Sequence, residues 1–280
     1  MKVTFFGTTT LLFDDGRDQV LFDCHFTRPS LLRYVFSRPT ATDAALAEAI
    51  LKAHRVDRLR ALFISHSHHD HVMDAPYVAN RCGAEIYGSA SVLNVARGGD
   101  VPEERLTAFE AGATYRVEGY AVTVIPSLHS KPTLLNNDLG QTIDRPLHQP
   151  ARLRDYKEGG SWDFLVEAGG RRFLIRPSFN YIPGQLDGVQ ADVLFLGIAG
   201  LAKADAGTRR AFFAETLDKV QPRTVIPIHW DNFFTHLDAP VRGMPALIER
   251  TGVALDRLTR QCEARGIDLI LQLPRSSAEV

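Results

Sequence analysis

An α/β chain, with two β-sheets face to face and helices outside, is predicted by three features of this sequence. Short apolar runs of strand character and amphipathic stretches of helical spacing recur in each half, a pattern that stacks layers of sheet and helix around a core. The segment 165–176, Leu-Val-Glu-Ala-Gly-Gly-Arg-Arg-Phe-Leu-Ile-Arg, echoes 12–23, Leu-Phe-Asp-Asp-Gly-Arg-Asp-Gln-Val-Leu-Phe-Asp, in its apolar positions and turn glycine, so one unit is used twice. The 280 residues, 45% hydrophobic and 9% aromatic, can bury a substantial core and lie near the upper size of one domain, so residues 1–280 are expected to form a single domain.

The chain opens as a β-meander of strands 2–6, 10–13 and 19–22, with a turn at Asp14-Asp15-Gly16. Residues 24–40, with Arg28-Pro29 and Arg38-Pro39, read as an irregular loop. Thr42 is placed to cap a helix whose buried stripe is Ala45, Leu46, Ala49, Ile50 and Ala53. An apolar strand 61–64 precedes a polar loop, and 74–82 reads as a helix. Ile86-Tyr87, a short helix near 89–96 and a hairpin of 114–117 with 120–125 around Glu118-Gly119 complete the first half. In the second half, the repeated hairpin is followed by a strand 192–198, a helix 208–220 stopped by Pro222, a strand 224–228, helical segments 241–250 and 254–264, and a closing strand 267–273.

The polar loop after strand 61–64 carries the chemistry. Ser65-His66-Ser67-His68-His69-Asp70-His71 packs four histidines and an aspartate into six positions. Imidazole nitrogen and carboxylate oxygen suit zinc and other borderline divalent metals, and a loop lets side chains at such spacings converge. Two later histidines stand just past strand-like runs: His129 after 120–126 and His229 after 224–228. Three strand ends thus aim imidazoles at one place. His69, between inward-pointing neighbours, is assigned no ligand role, and His25 stays open between the site and the surface.

The spacing His66-x-His68-x-Asp70-His71, with His129 and His229 downstream, resembles the metallo-β-lactamase superfamily over nearly the whole chain. The resemblance implies an αββα sandwich with metals at one open edge between the sheets. It implies one site from His66, His68 and His129 and a second from Asp70, His71 and His229. Two carboxylates are expected to act in catalysis: Asp70 orients the attacking hydroxide, and Asp23 hydrogen-bonds within the metal site. The cofactor is expected to be zinc, one ion or two, with manganese or iron also suited. The chain departs from the family at Ser178, which stands where a bridging aspartate is expected. A neutral hydroxyl is a poor bridge, so the second site is expected to be weaker. Asp231 is a candidate substitute or hydrogen-bonding partner, or a turn residue.

A bound divalent metal brings the pKa of water down toward about 7 and polarises the bond to be attacked. The expected activity is therefore a metal-dependent hydrolase acting on an ester, a lactone or phosphodiester before a β-lactam. Its competitors are a non-haem iron oxidoreductase on the same ligands and a binding protein with a partly degenerate centre. Net charge is −1, from 32 basic and 33 acidic residues, which gives no global field for a polyanion and disfavours nucleic acid against a small-molecule substrate. No window approaches the roughly 20 apolar residues of a membrane span, and three cysteines without a pairing pattern suit a reducing compartment, so a cytoplasmic location is expected. The oligomeric state stays open. Residues 131–160 interrupt the repeat directly after His129 and read as an insertion, a lid or a substrate wall. Its Arg145, Arg152, Arg154 and Lys157 are balanced by Asp138, Asp144, Asp155 and Glu158, which reads as a solvated face.

Overall fold

Apolar side chains on both faces of a strand require a layer on either side of it, and the opening hairpins meet that condition. Leu11, Phe13, Val20 and Phe22 enter one buried cluster with Phe164, Phe173 and Phe195. The alternate residues Leu12 and Leu21 enter another, with Leu46, Ile50 and Val78. A computed structural model, describing residues 1–132 and 137–280, shows how the layers are built.

The first seven-stranded sheet starts with the antiparallel strands β1 (Lys2–Gly7), β2 (Thr10–Asp14) and β3 (Gln19–Phe22). To these β4 (Leu59–Phe63), β5 (Glu85–Gly88) and β6 (Leu106–Ala108) add in parallel. The second sheet repeats the plan. Antiparallel β7 (Thr114–Val117), β8 (Tyr120–Ser127), β9 (Ser161–Ala168) and β10 (Arg171–Arg176) are followed by parallel β11 (Val193–Gly197), β12 (Thr224–Ile228) and β13 (Asp268–Leu269). The last strand, β14 (Ser276–Glu279), returns to the first sheet beside β1. The echo between 12–23 and 165–176 is exact in pairing: Leu12 lies opposite Leu21 in one hairpin, and Leu165 opposite Leu174 in the other.

Between the sheets, aromatic rings interlock. Phe13 meets Phe173 at 5.3 Å and Phe195 at 5.8 Å, and Phe22 meets Phe164 at 5.4 Å. Each such buried ring contributes about 1.5–3 kcal/mol relative to exposure. The outer face of the first sheet is covered by α2 (Ala44–Ala53), α4 (Ala75–Cys82) and α5 (Ala90–Gly98), after a short α1 (Leu31–Val35) and the single turn α3 (His69–Val72). On the other side, α6 (Ala206–Phe213) and α7 (Thr251–Glu263) bury Phe212 and Leu258 against the second sheet. Two mixed sheets with helices outside make the α/β sandwich expected from the sequence. Among the described residues no helix is long and apolar enough to cross a membrane.

Several elements differ from expectation for local reasons. Asp43, not Thr42, caps α2 by accepting from the Leu46 N–H at 3.0 Å, while the Thr42 hydroxyl donates to the Met73 carbonyl. The loop 24–40 holds α1. The helix expected over 208–220 begins at Ala206 behind an Asp205 cap and widens into a π-helical turn over Ala214–Asp218. Residues 241–250 form turns and a bridge between Asp231 and Gly243 instead of a helix, consistent with Pro240 and Pro245, which lack the N–H that a helix interior needs. The closing strand shrinks to Asp268–Leu269, because beyond it the chain crosses to the first sheet and the Gln272 amide donates to the carbonyls of Val3 and Ser276. β14, Ser-Ser-Ala-Glu, has too little apolar alternation to be read as a strand.

Candidate metal centre

The parallel strands β4 and β12 and the long antiparallel β8 end at the same edge of the sandwich, and the loop after each delivers histidines there. Donor atoms of His66, His68 and His129 lie within 4.8 Å of one another, as do those of Asp70, His71 and His229. In the first triad the rings form a triangle with centroid separations of 4.9, 4.7 and 4.9 Å. In the second, Asp70 Oδ2 stands 3.6 Å from His71 Nε2 and 3.5 Å from His229 Nε2. His66 and His71, with ring centroids 3.7 Å apart, join the two.

What lies behind each ring selects its tautomer. His71 Nδ1 donates to Asp23 Oδ2 at 2.7 Å, and the same oxygen accepts from the Thr9 hydroxyl at 2.5 Å and the Ser65 hydroxyl at 2.9 Å. His66 Nδ1 faces Ser65 Oγ at 3.1 Å, and His129 Nδ1 donates to the Ser130 carbonyl at 3.0 Å. His68 is turned the other way, with Nε2 on Asp138 Oδ1 at 3.0 Å. Four imidazoles are thus tied by one nitrogen, leaving the other with its lone pair for a cation. His66 Nε2 is buried without any hydrogen-bond partner, a costly state unless something binds there. Imidazole nitrogens with one carboxylate form a donor set that fits zinc and similar divalent metals.

The electrostatics agree. Burial, reinforced by His71, His68 and His129, holds the His66 ring well below its usual basicity, and burial with His68 pushes His129 down to about 3. Both rings are therefore neutral near pH 7, as ligands must be. For Asp70, burial disfavours the charge, but His71, His229 and His69 outweigh it and hold the carboxyl well below the usual range.

Backbone strain sits at the same place. Asp23, Thr8 and His229 adopt left-handed φ values of 50°, 52° and 56°, each costing about 1–3 kcal/mol. The His229 turn is held by its N–H on the Thr8 carbonyl, by the Thr8 N–H on Asp231 Oδ1 at 2.7 Å, and by a buried ion pair of Asp231 with Arg28 at 2.8 Å. Gly7, at φ 95°, has to be glycine, since a Cβ there would lie 1.9 Å from Arg28 Nη2 and 2.5 Å from Asp231 Oδ2.

These contacts sort the expected residues. His66, His68, His129, Asp70, His71 and His229 come together. Asp23 is buried behind them and touches His71, Ser65 and Thr9, so it positions the centre instead of facing the cavity. Asp231 is engaged by Arg28 and Thr8 and belongs to neither triad. His25 is fully buried, with Nδ1 3.3 Å from Thr8 Oγ1 and its ring edge-on to His69, and it also lies outside both triads. Asp138 and Thr9 were missed: neither has a position relative to the motif that distinguishes it in sequence. Ser178 lines the cavity over the centre, together with His68, Asp70, His129 and His229.

That cavity has a volume of about 1020 Å³. Phe179, Phe233 and Phe234 form apolar parts of its wall, and Leu153, Arg154, Tyr156 and Lys157 of the insertion form another side. The insertion is pinned to the ligand loop through Ser67, whose N–H donates to the Glu158 carbonyl and whose hydroxyl donates to the Lys157 carbonyl at 2.6 Å. Gly159 permits the approach, because a Cβ there would meet Ser67 Oγ at 2.4 Å.

A two-sheet sandwich with a histidine–aspartate centre at the sheet ends defines a protein of the metallo-β-lactamase fold. The family model described as the beta-lactamase superfamily domain matches residues 18–230, and the chain belongs to that family. It is similar to a metal-dependent hydrolase of Roseiflexus castenholzii, 27% identical over 216 residues, 77% of this chain and 75% of the relative. It is also similar to one of Archaeoglobus fulgidus, 26% identical over 239 residues, 83% of this chain and 84% of the relative. Among solved structures, the metallo-beta-lactamase fold protein YhfI from Bacillus subtilis superposes with a TM-score of 0.57 at 14% identity, over 99% of both chains. CmlA, a diiron beta-hydroxylase from Streptomyces venezuelae, superposes at 0.62 with 14% identity, over all of this chain and 54% of its own. At these identities the superpositions establish the fold.

Proposed function

We propose that this chain is a metal-dependent hydrolase of small-molecule esters, a lactone or a phosphodiester. In this reading, His66, His68 and His129 hold one divalent cation and Asp70, His71 and His229 a second, weaker one. The observation that carries it is the pair of facing triads on the floor of a large cavity, with the outer nitrogens of four ligands tied back by oxygen acceptors. The relatives described as metal-dependent hydrolases support it. When bound, the cation, best matched by zinc, supplies Lewis acidity and a nucleophile at neutral pH.

The chain's own residues do the rest. Asp70, the one carboxylate in the triads, faces the cavity and is placed to orient the attacking oxygen. Asp23, with Thr9 and Ser65, keeps His71 and His66 in the tautomers that ligation needs. Phe233, Phe234 and Phe179 exclude water from one side. Residues 137–160, fastened to the ligand loop, serve as a fixed substrate wall of the single domain instead of a swinging lid. Three free cysteines suit a cytoplasmic protein.

The test is elemental analysis and hydrolysis assays on ester, lactone and phosphodiester substrates, comparing the metal-loaded protein with its His68→Ala variant. Metal content and activity are both expected to fall in the variant. Unchanged metal stoichiometry would overturn the ligand assignment, and an iron-loaded protein consuming oxygen without hydrolysis would replace the hydrolase by an oxidoreductase.

A further inference from the structure

We propose that Arg154 and Lys157 form a subsite for an anionic group of the substrate, a carboxylate or phosphoryl group carried away from the scissile bond. The inference rests on the hydrolase reading and names the substrate class it acts on.

Charge accounting in three dimensions carries the argument. The insertion's acids balance its bases in number, yet each acid accepts hydrogen bonds from other groups, and only Asp138 also feels the charge of Lys157 across the cavity. Asp138 accepts from His68 at 3.0 Å, Asp144 from the Thr142 hydroxyl at 2.6 Å, and Asp155 from the Arg152 N–H at 3.0 Å. Glu158 accepts from the Ser161 hydroxyl at 2.6 Å and the Gly140 N–H at 3.1 Å. Arg154 and Lys157 both line the cavity, and among the described residues neither has a carboxylate within ion-pair distance. Two further acids on the cavity wall are also occupied: Asp205 accepts from the Thr208 N–H and hydroxyl, and Glu249 from the N–H groups of Gly200 and Ala202. With Asp70 the single anionic donor in the two triads and Ser178 neutral, a divalent cation on the floor would add positive charge to the cavity that Arg154 and Lys157 line.

Position turns this surplus into a site. The Arg154 guanidinium lies 5.4 Å over the Tyr34 ring, which in turn lies 5.8 Å from the ring of His69, the neighbour of Asp70. Arg154 also hydrogen-bonds the Tyr34 side chain, and since a guanidinium carries five N–H donors, this bond leaves others to grip an oxyanion. Lys157 is held from its own backbone, whose carbonyl accepts from Ser67 between two ligand histidines. Both cations thus line the cavity that holds His68, Asp70, His129 and His229, a placement suited to orienting a charged substrate.

The experiment uses the zinc-loaded protein and the variants Arg154→Met, Lys157→Met and the double variant, with Arg154→Lys as a conservative replacement and Arg60→Met, outside the cavity lining, as a remote control. Calorimetric titration with phenylphosphonate and with benzoate separates phosphoryl from carboxylate recognition. A matched pair of aryl esters, one with a remote carboxylate and one with its neutral amide, reports preference as a ratio of kcat/KM. Each single methionine variant at Arg154 or Lys157 is expected to bind the preferred anion at least fivefold more weakly and the double variant at least twentyfold, with partial recovery in Arg154→Lys and none of these changes in Arg60→Met. The preference for the charged ester should fall at least tenfold, mainly through KM. If no ester is hydrolysed while anion affinity falls as stated, the hydrolase reading fails and the subsite stands. If esters are cleaved but affinity and preference are unchanged in the double variant, or if the native protein binds neither anion, the subsite is overturned.

Discussion

Ser178 occupies a position on the cavity wall where a change of a few atoms would add a charge beside the proposed centre. It lines the cavity with Asp70 and His229, and Asp231 cannot stand in for a bridging carboxylate because Arg28 and the Thr8 N–H already hold it. Two neighbouring divalent cations with one anionic ligand between them repel, so the native chain is expected to hold about one zinc tightly. Replacing Ser178 by Asp should bring the stoichiometry nearer two, read by elemental analysis after zinc loading and desalting. Two equally tight ions in the native protein would show that the bridge is not needed. Asp138 is the complementary case, a carboxylate that orients His68 from outside the triads. Partners of this kind typically change metal affinity by about 10–100-fold.

At the scale of elements, the segment 137–160 does more than border the cavity. Ile143, Leu153 and Tyr156 are buried in the core cluster shared with α2, α4 and α5, the Ile143 N–H donates to Ser91, and Thr40 bridges Ala151. A freely closing lid would not bury its own side chains in the scaffold, so this wall and the first-half helices should lose order together. Tyr156→Ala, which removes a ring that is 1% exposed and a hydroxyl bonded to Gln149, is expected to cost roughly 3–5 kcal/mol. A thermal midpoint unchanged by that variant would mean that the segment packs more loosely than the structure shows.

For the whole molecule, the two halves repeat one plan and meet across a shared aromatic core, and the proposed metals lie at the edge where both contribute ligands. His66, His68, Asp70 and His71 come from the first sheet's loops, His129 and His229 from the second's. A cation bound there links the sheets and stabilises only the folded chain, by about 2.7 kcal/mol when present at 100 times its dissociation constant. Chelation should therefore lower the thermal midpoint, and zinc should restore it. A midpoint indifferent to complete metal removal would argue that the triads do not bind metal in the native fold.

The sequence by itself determined what local pattern can carry. The alternation of Leu11, Leu12 and Phe13 specifies a strand buried on both faces, because side chains alternate sides along a strand. The repeated apolar pattern and turn glycine predicted one unit used twice, and the two hairpins pair in the same register. The dense His66–His71 motif and the two histidines past strand ends marked the residues that the fold gathers into two candidate triads, since a strand end followed by a loop is where a scaffold can aim side chains. Only the tertiary structure decided that Asp138 stands behind His68, that Asp231 is taken by Arg28, and that β14 crosses back to β1. It also decided that Arg154 and Lys157, balanced by acids along the chain, face the cavity while Asp144 and Asp155 do not line it. The reason is physical: hydrogen bonds and ion pairs act over a few ångströms in space, so which partners meet depends on how distant segments pack, and counting charges along a chain does not register it.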